Sequence, residues 1–209
     1  MPSAAFSARP AGLTRDAIVV AALGLIEERG LEDFSTRKLG ERLGLKAMSL
    51  YHYFPSREAL LDAVVDHMVA EVPLPDVSRI AWKRGLLRLA HEYLAMGHRH
   101  LPAVALLALR CPTSPTMQRF LGTLEGLLLK AGLKPRSAAQ WLLIQRDYVM
   151  GSLMTDHAVS LFPLPTPQGR SGSAASRNTS LIVAGDHRAR TFDKGFNTLL
   201  DAIARECVT

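Results

Sequence analysis

The sequence predicts an all-α fold. Apolar residues recur at three- and four-residue spacing along most of the 209 positions, as they do on the buried face of a helix. No stretch alternates β-branched residues over strand length, and no Asn-Gly or Asp-Gly hairpin turn occurs. Ser, Thr, Gly and Pro punctuate the chain at helix-length intervals.

The first helix opens after Leu13. Thr14 is its N-cap and Asp16 places a negative charge in the first turn, where the helix dipole favours it. Ile18, Ala22, Leu25 and Ile26 form its apolar stripe, and Gly30 ends it. Ser35 or Thr36 caps a short second helix that carries Leu39 and Leu43 and stops at Gly44. A third begins near Ala47 and runs to about Phe54, where Pro55 stops it. Ser56 caps a fourth helix with Leu60, Leu61, Val64, Val65, Met68 and Val69 on its apolar side.

The segment Val72-Pro-Leu-Pro75 reads as a joint. Beyond it, helices are expected over roughly 78–98, shortly after Pro102, from about Ser114 to Ala131 with a stop at Gly132, and from Pro135 to about Val159. Residues 162–181 are rich in Pro, Gly and Ser and read as a flexible loop. A last helix is expected from about Arg188 to Glu206. The domain reading is a flexible N-terminus over 1–12, one helical domain over 13–72, and a second over 76–206 that contains the loop.

Composition bounds the function. Hydrophobic residues make up 48% and charged residues 21%, ordinary for a globular chain. The longest apolar runs, near 101–109 and 127–129, are too short to cross a bilayer, and the N-terminus lacks the apolar core of a secretion signal. Cys111 and Cys207 have neither metal spacing nor a disulfide framework, so a reducing cytoplasm is the simple expectation. No nucleophile–base pair, Gly-rich phosphate loop or metal-ligand spacing is present, so no enzyme, cofactor or metal is expected. His91, His98 and His100 do not share one helix face as zinc ligands would.

The net charge of +6 is unevenly spread. Residues 1–72 hold ten acids against eight bases, yet residues 34–57 hold five bases and a single acid, Glu41. A basic patch on a short segment is a footprint for phosphate binding. In that window, two short helices around a Gly turn form a helix-turn-helix. Leu39, Leu43, Leu45, Leu50 and Phe54 pack inward, which leaves Lys46, Ala47, Ser49, Tyr51, His52 and part of Met48 outward. That face is small, hydrogen-bonding and able to touch a thymine methyl, as a major groove requires. Thr36, Arg37 and Lys38 at the start of the preceding helix, and Arg57 at the head of the fourth, are placed for phosphates. The bland alternative is a generic bundle in which Tyr51 and Tyr53 are half-buried packing residues.

The ordered pattern from Thr14 to Val64 closely resembles the DNA-binding domain of tetracycline-repressor (TetR/AcrR) family regulators. It contains Gly30, Ser35-Thr36-Arg37, Leu39, Leu43-Gly44, Leu50-Tyr51, Phe54, Arg57 and Leu60-Leu61. The resemblance implies an N-terminal three-helix helix-turn-helix DNA-binding domain followed by a helical ligand-binding and dimerisation domain. It further implies a homodimeric repressor that binds a palindromic operator on double-stranded DNA and is released by a small-molecule effector. Thr36 and Arg37 match family contacts on the second helix, Ser49 and Tyr51 match contacts from the recognition helix, and Arg57 matches the phosphate contact. Ala47, Met48 and His52 fall at the variable positions that tune base preference. A ligand-responsive activator, a helical enzyme and an interaction module remain the alternatives.

The second half resembles the tetracycline-repressor branch more weakly, through Leu107–Leu128 and Tyr148–Ala158. Where that branch places a metal-chelating histidine this chain has Leu107, and where it places a glutamate this chain has Thr155. A magnesium–tetracycline chelate is therefore not the expected effector. Tyr93, Met96, Met117, Trp141, Met150 and Met154 are candidates to line an apolar pocket, with plain core packing as the alternative for each. His100 is placed on the pocket rim and Tyr148 among the pocket and dimer helices. Gln145, Arg146 and Asp147 interrupt an otherwise apolar helix, either as a polar contact in the pocket or as a pair across a dimer axis. The helices 135–159 and 188–206 read as apolar over too wide an arc for surface helices, which suggests a four-helix dimer interface.

Overall fold

The computed structural model describes residues 13–162 and 185–207 and is all-helical over them. Nine α-helices occur among the described residues. They are α1 (Arg15–Arg29), α2 (Thr36–Arg42), α3 (Ala47–Leu50), α4 (Arg57–Ala70), α5 (Trp82–Arg99), α6 (Val104–Leu109), α7 (Pro115–Lys130), α8 (Pro135–Leu161) and α9 (Gly185–Glu206). A 3₁₀ turn, Leu101–Ala103, joins α5 to α6.

Thr14 and Ser56 cap their helices as the sequence suggests, Ser35 rather than Thr36 caps the second, and Ser114 caps the seventh. The Thr14, Ser35, Ser56 and Ser114 hydroxyls each accept a backbone N–H three residues on, at 3.0–3.2 Å. Each satisfies a donor that the first turn leaves unpaired, a contribution of about 1 kcal/mol per cap. Gly44 ends α2 with a φ of 67°, a left-handed conformation that costs a side chain steric energy.

Three boundaries differ from the sequence reading. The third helix spans only Ala47–Leu50, and residues 51–53 follow as turns, with the Tyr53 and Phe54 amides both donating to the Leu50 carbonyl at 2.9 Å. The fifth starts at Trp82 because Asp76 closes a turn before it, accepting from the Ser78 amide and hydroxyl at 2.9 and 2.6 Å. Lys130 then holds that turn by donating to the carbonyls of Val77, Ser78 and Ile80. The last helix begins earlier than expected, at Gly185. Apart from Phe162, the Pro/Gly/Ser-rich segment 162–181 lies outside the described residues, as does the stretch 1–12.

α1 packs on α4, and α2 on α3. α4 also touches α5, α6 and α7, and α1 packs on the 3₁₀ turn, so both helices join the two halves of the chain. Leu60, Leu61, Val64, Val65, Met68 and Val69 of α4 are all buried. Burying each such side chain contributes about 1.5–3 kcal/mol, which makes α4 the spine of the buried core. In the second half α5, α7 and α8 pack on one another, and α9 lies against α8 and α5. α9 is not apolar over a wide arc: Phe192, Phe196, Leu200 and Ile203 point inward while Lys194, Asn197, Asp201 and Arg205 are exposed.

Gly40 has a role that its place in mid-helix hides. A Cβ there would stand 2.9 Å from the Leu45 carbonyl oxygen and 3.2 Å from the Ala47 amide nitrogen. Both are backbone atoms of the turn into α3, and the Leu45 amide donates to the Gly40 carbonyl at 2.8 Å. Gly40→Ala is therefore expected to push α3 off α2 and to destabilise the protein by about 1–3 kcal/mol in urea denaturation. An unchanged midpoint would show that the turn has room to spare.

Candidate nucleic-acid interface and inner cavity

The α2–turn–α3 unit sorts its side chains by face. Leu39, Leu50 and Phe54 are buried, and Leu43 and Leu45 are partly buried against them. Lys46, Met48, Tyr51 and His52 are exposed, with Ala47 and Ser49 half-exposed beside them. Met48 is 73% exposed, which is unusual for a large apolar side chain with nothing local to cover it. Thr36 is half-buried at the first position of α2, and Arg37 is exposed next to it.

The surface charges are only loosely committed. Arg37 pairs with Glu41 at 3.1 Å, one turn along, with both side chains mostly in solvent. An exposed pair of this kind contributes well under about 1 kcal/mol, so Arg37 is free to exchange its partner for a phosphate. Lys38 donates to the Asp33 carbonyl at 2.9 Å, and Arg42 pairs with Glu28 at 2.7 Å. No ion pair among the described residues involves Lys46 or Arg57. Arg57 heads α4, half-buried, with its guanidinium 5.6 Å from the centre of the Phe34 ring.

Residues from α1 fix the end of the recognition segment, a contact that sequence reading missed. The Arg15 guanidinium lies 4.2 Å from the centre of the Phe54 ring and donates to the Tyr53 carbonyl. The Tyr53 hydroxyl donates to the Leu13 carbonyl at 3.4 Å. A residue 38 positions away in sequence thus sets where Tyr51 and His52 sit.

The second half holds a cavity of about 270 Å³, partly open to solvent, between α5, α6, α7 and α8, with Phe196 of α9 on its wall. Its walls are mainly apolar, among them Leu86, Leu89, Phe120 and Leu124, and the exposed Ala108, Leu109 and Cys111 lie on its rim. Tyr93 and Phe120 stack along one wall with ring centres 5.3 Å apart. Burial pushes the Tyr93 phenol well above its ordinary value, so it stays protonated.

Of the residues named for the pocket, Tyr93, Leu107, Met117, Gln145, Arg146, Asp147 and Met150 line this space. The other six lie elsewhere. Met96 is fully buried in the core. His100 is clamped between Glu27 and Glu71, at 2.5 and 2.9 Å. The Trp141 indole donates to Glu206 at 2.8 Å, and the Tyr148 hydroxyl donates to the Phe192 carbonyl at 3.0 Å. Met154 packs against the core, and the Thr155 hydroxyl donates back to the Gly151 carbonyl at 2.7 Å. Arg110, Val149 and Phe196 also line the cavity, and the sequence pattern singles out none of them.

The three histidines take separate carboxylates. His91 meets Asp193 at 2.6 Å, His98 meets Asp156 at 2.9 Å, and His100 meets Glu27 and Glu71. No group of three or more ligating side chains suited to a metal occurs among the described residues.

Polar contacts tie the cavity wall to α4. Arg110 donates to the Asp62 carboxylate at 2.6 Å and to the Glu58 carbonyl at 3.2 Å. The Ser114 hydroxyl donates to Asp66 at 2.5 Å. At the far end of α4, Arg99 donates to Glu71 through two nitrogens, beside His100. Partial burial acts to raise the Glu71 carboxyl, but the hydrogen bonds from Arg99 and His100 outweigh it and hold the group below its ordinary 4.5. A carboxylate lowered in this way contributes its stability in full above pH 4.5 and loses it as the pH falls through its folded value. Glu71→Gln is expected to flatten the fall of stability with acid below that pH, measured by urea denaturation at a series of pH values. Equal slopes for the two proteins would mean that this junction carries no such linkage.

Comparison with known proteins converges on one family. The family model described as bacterial regulatory proteins, tetR family, matches residues 18–64. The chain is 30% identical over 152 residues to a tetracycline repressor protein class G from Vibrio anguillarum, covering 70% of each chain. It is 29% identical over 148 residues to a tetracycline repressor protein class A from transposon 1721 of Escherichia coli, covering 70% of this chain and 68% of that one. Among solved structures it is similar to a TetR variant from Acinetobacter baumannii AYE in complex with minocycline. There the TM-score is 0.75 and the identity 26%, over 92% of this chain and 97% of that one.

Proposed function

The chain belongs to the tetR family of bacterial regulatory proteins, and we propose that it is a homodimeric transcriptional repressor that leaves a palindromic operator when a small molecule fills the inner cavity. The observation that carries this reading is the outward face of residues 46–52. Lys46, Met48, Ser49, Tyr51 and His52 point away from a backbone pinned by the buried Leu50 and Phe54. Such a face offers donors, acceptors and an apolar tip to base edges, while Thr36, Arg37 and Arg57 flank it for phosphates. The protein acts as a regulator and not as an enzyme, at the DNA and hence in the cytoplasm.

The homodimer reading rests on α8. Leu143 and Ile144 are 49% and 43% exposed on this long helix, with the exposed Gly151 two turns further on. A two-fold pairing through α8 and α9 removes that apolar surface from water and holds two recognition segments about one DNA turn apart, ~34 Å. The domain reading, 13–72 for DNA and 76–206 for ligand and partner, fits α4 as the helix of the first that packs against α5, α6 and α7 of the second.

Release requires the effector to favour one arrangement of α4 over another. Arg110 is both a cavity wall and a ligand to Asp62 and Glu58 on α4, so a molecule that displaces it acts on the helix carrying Arg57. The effector we envisage is not a metal-chelated tetracycline. Leu107 has no ligating atom, and the Thr155 hydroxyl is already bonded to its own helix and lies outside the cavity.

Footprinting with DNA from upstream of the gene tests the reading. Protection of two inverted half-sites with centres about one helical turn apart is expected. A single unpaired half-site would contradict the dimer, and no protection would contradict the operator.

A further inference from the structure

Gln145 is the feature of the cavity that its apolar walls do not explain. The side chain is 5% exposed and lines the cavity from α8, and its Nε2 has no hydrogen-bond partner. A buried amide left unpaired costs free energy, which a ligand atom placed against it recovers on binding. The charged groups around the cavity are already matched, with Arg146 on Asp147 at 2.7 Å and Arg110 on Asp62 at 2.6 Å. A bare ion would arrive with no counter-charge to meet it, so a neutral molecule is favoured. The stacked Tyr93 and Phe120 rings make part of the wall aromatic, which favours packing against a planar ring system.

We propose that the effector is a neutral, flat, largely apolar compound whose carbonyl oxygen accepts a hydrogen bond from the Gln145 carboxamide. This deepens the reading of the cavity as an effector site and rests on it. The Gln145 amide makes the specificity, because a compound of the same shape without the oxygen leaves Nε2 unpaired.

Three compounds of nearly one shape test it by equilibrium dialysis against the full chain. Fluorenone carries the carbonyl, fluorene carries neither donor nor acceptor, and carbazole carries an N–H donor in its place. Fluorenone is expected to bind about tenfold tighter than fluorene or more, with carbazole no better than fluorene. Gln145→Met keeps the length, removes the amide and is expected to bring fluorenone down to the fluorene value while raising the melting temperature of the ligand-free protein. The wild-type comparison stands by itself if the variant does not fold. Equal affinity of fluorenone and fluorene, preference for carbazole, retention of the preference in Gln145→Met, or binding of none of the three overturns the proposal. Dialysis is done without DNA, so these outcomes bear on the cavity alone, whereas absence of salt-sensitive DNA binding bears on the regulator reading alone.

Discussion

Phe54→Ala is expected to destabilise the protein by about 3–5 kcal/mol and to abolish operator binding at temperatures where the wild type is folded. The ring is 2% exposed and sits where the recognition segment turns into α4. Removing it takes away apolar surface from the first core layer and leaves a void that Leu39 and Leu50 on neighbouring elements cannot fill without moving. It also strips the Arg15 guanidinium of the face it covers at 4.2 Å, worth about 0.5–1 kcal/mol more. Chemical denaturation measures the first effect and fluorescence anisotropy with operator DNA the second. A loss below about 1 kcal/mol would mean that Phe54 is a surface residue in solution and that the face assignment is wrong.

Tyr51→Ala makes the opposite separation. Operator affinity is expected to fall about tenfold to a hundredfold, as for loss of a well-placed base or phosphate contact. Stability should stay within about 0.5 kcal/mol, because the ring is 42% exposed. The two substitutions lie three residues apart and are expected to act on different quantities. If Tyr51→Ala lowers stability as much as affinity, the tyrosine is a packing residue and the DNA face must be drawn without it.

Four helix starts were legible because capping is local chemistry, whereas those at Trp82 and Gly185, where no Ser or Thr cap marks the start, were not. Thr14, Ser35, Ser56 and Ser114 each need only a backbone N–H three residues away. The inward and outward faces of residues 39–54 were legible for the same reason, since the period of the pattern fixes them once the turn is placed. The length of α3 was not legible. Residues 51–53 turn instead, and Leu13 just before α1 and Arg15 at its start hold Tyr53 and Phe54 there.

The cavity was legible only in outline. That α5, α7 and α8 carry apolar faces follows from the sequence, but which apolar residue meets a void depends on how the three pack. Met96 and Met117 look alike in sequence, yet one is sealed in the core and the other borders the cavity. His100 read as a polar rim residue because its partners, Glu27 and Glu71, are 73 and 29 positions away. The role of Gly40 is not legible in the sequence because its space is taken by backbone five and seven residues later.

The salt dependence of binding to DNA from upstream of the gene is the most direct measurement, read by fluorescence anisotropy for the wild type and for Arg57→Ala. For the wild type the logarithm of the affinity should fall linearly with the logarithm of salt, by about 0.9 per phosphate contacted, and Arg57→Ala should make the slope shallower by about one such step. An affinity indifferent to salt, or one that Tyr51→Ala leaves unchanged, would contradict the assignment of this helix-turn-helix as the DNA-binding surface.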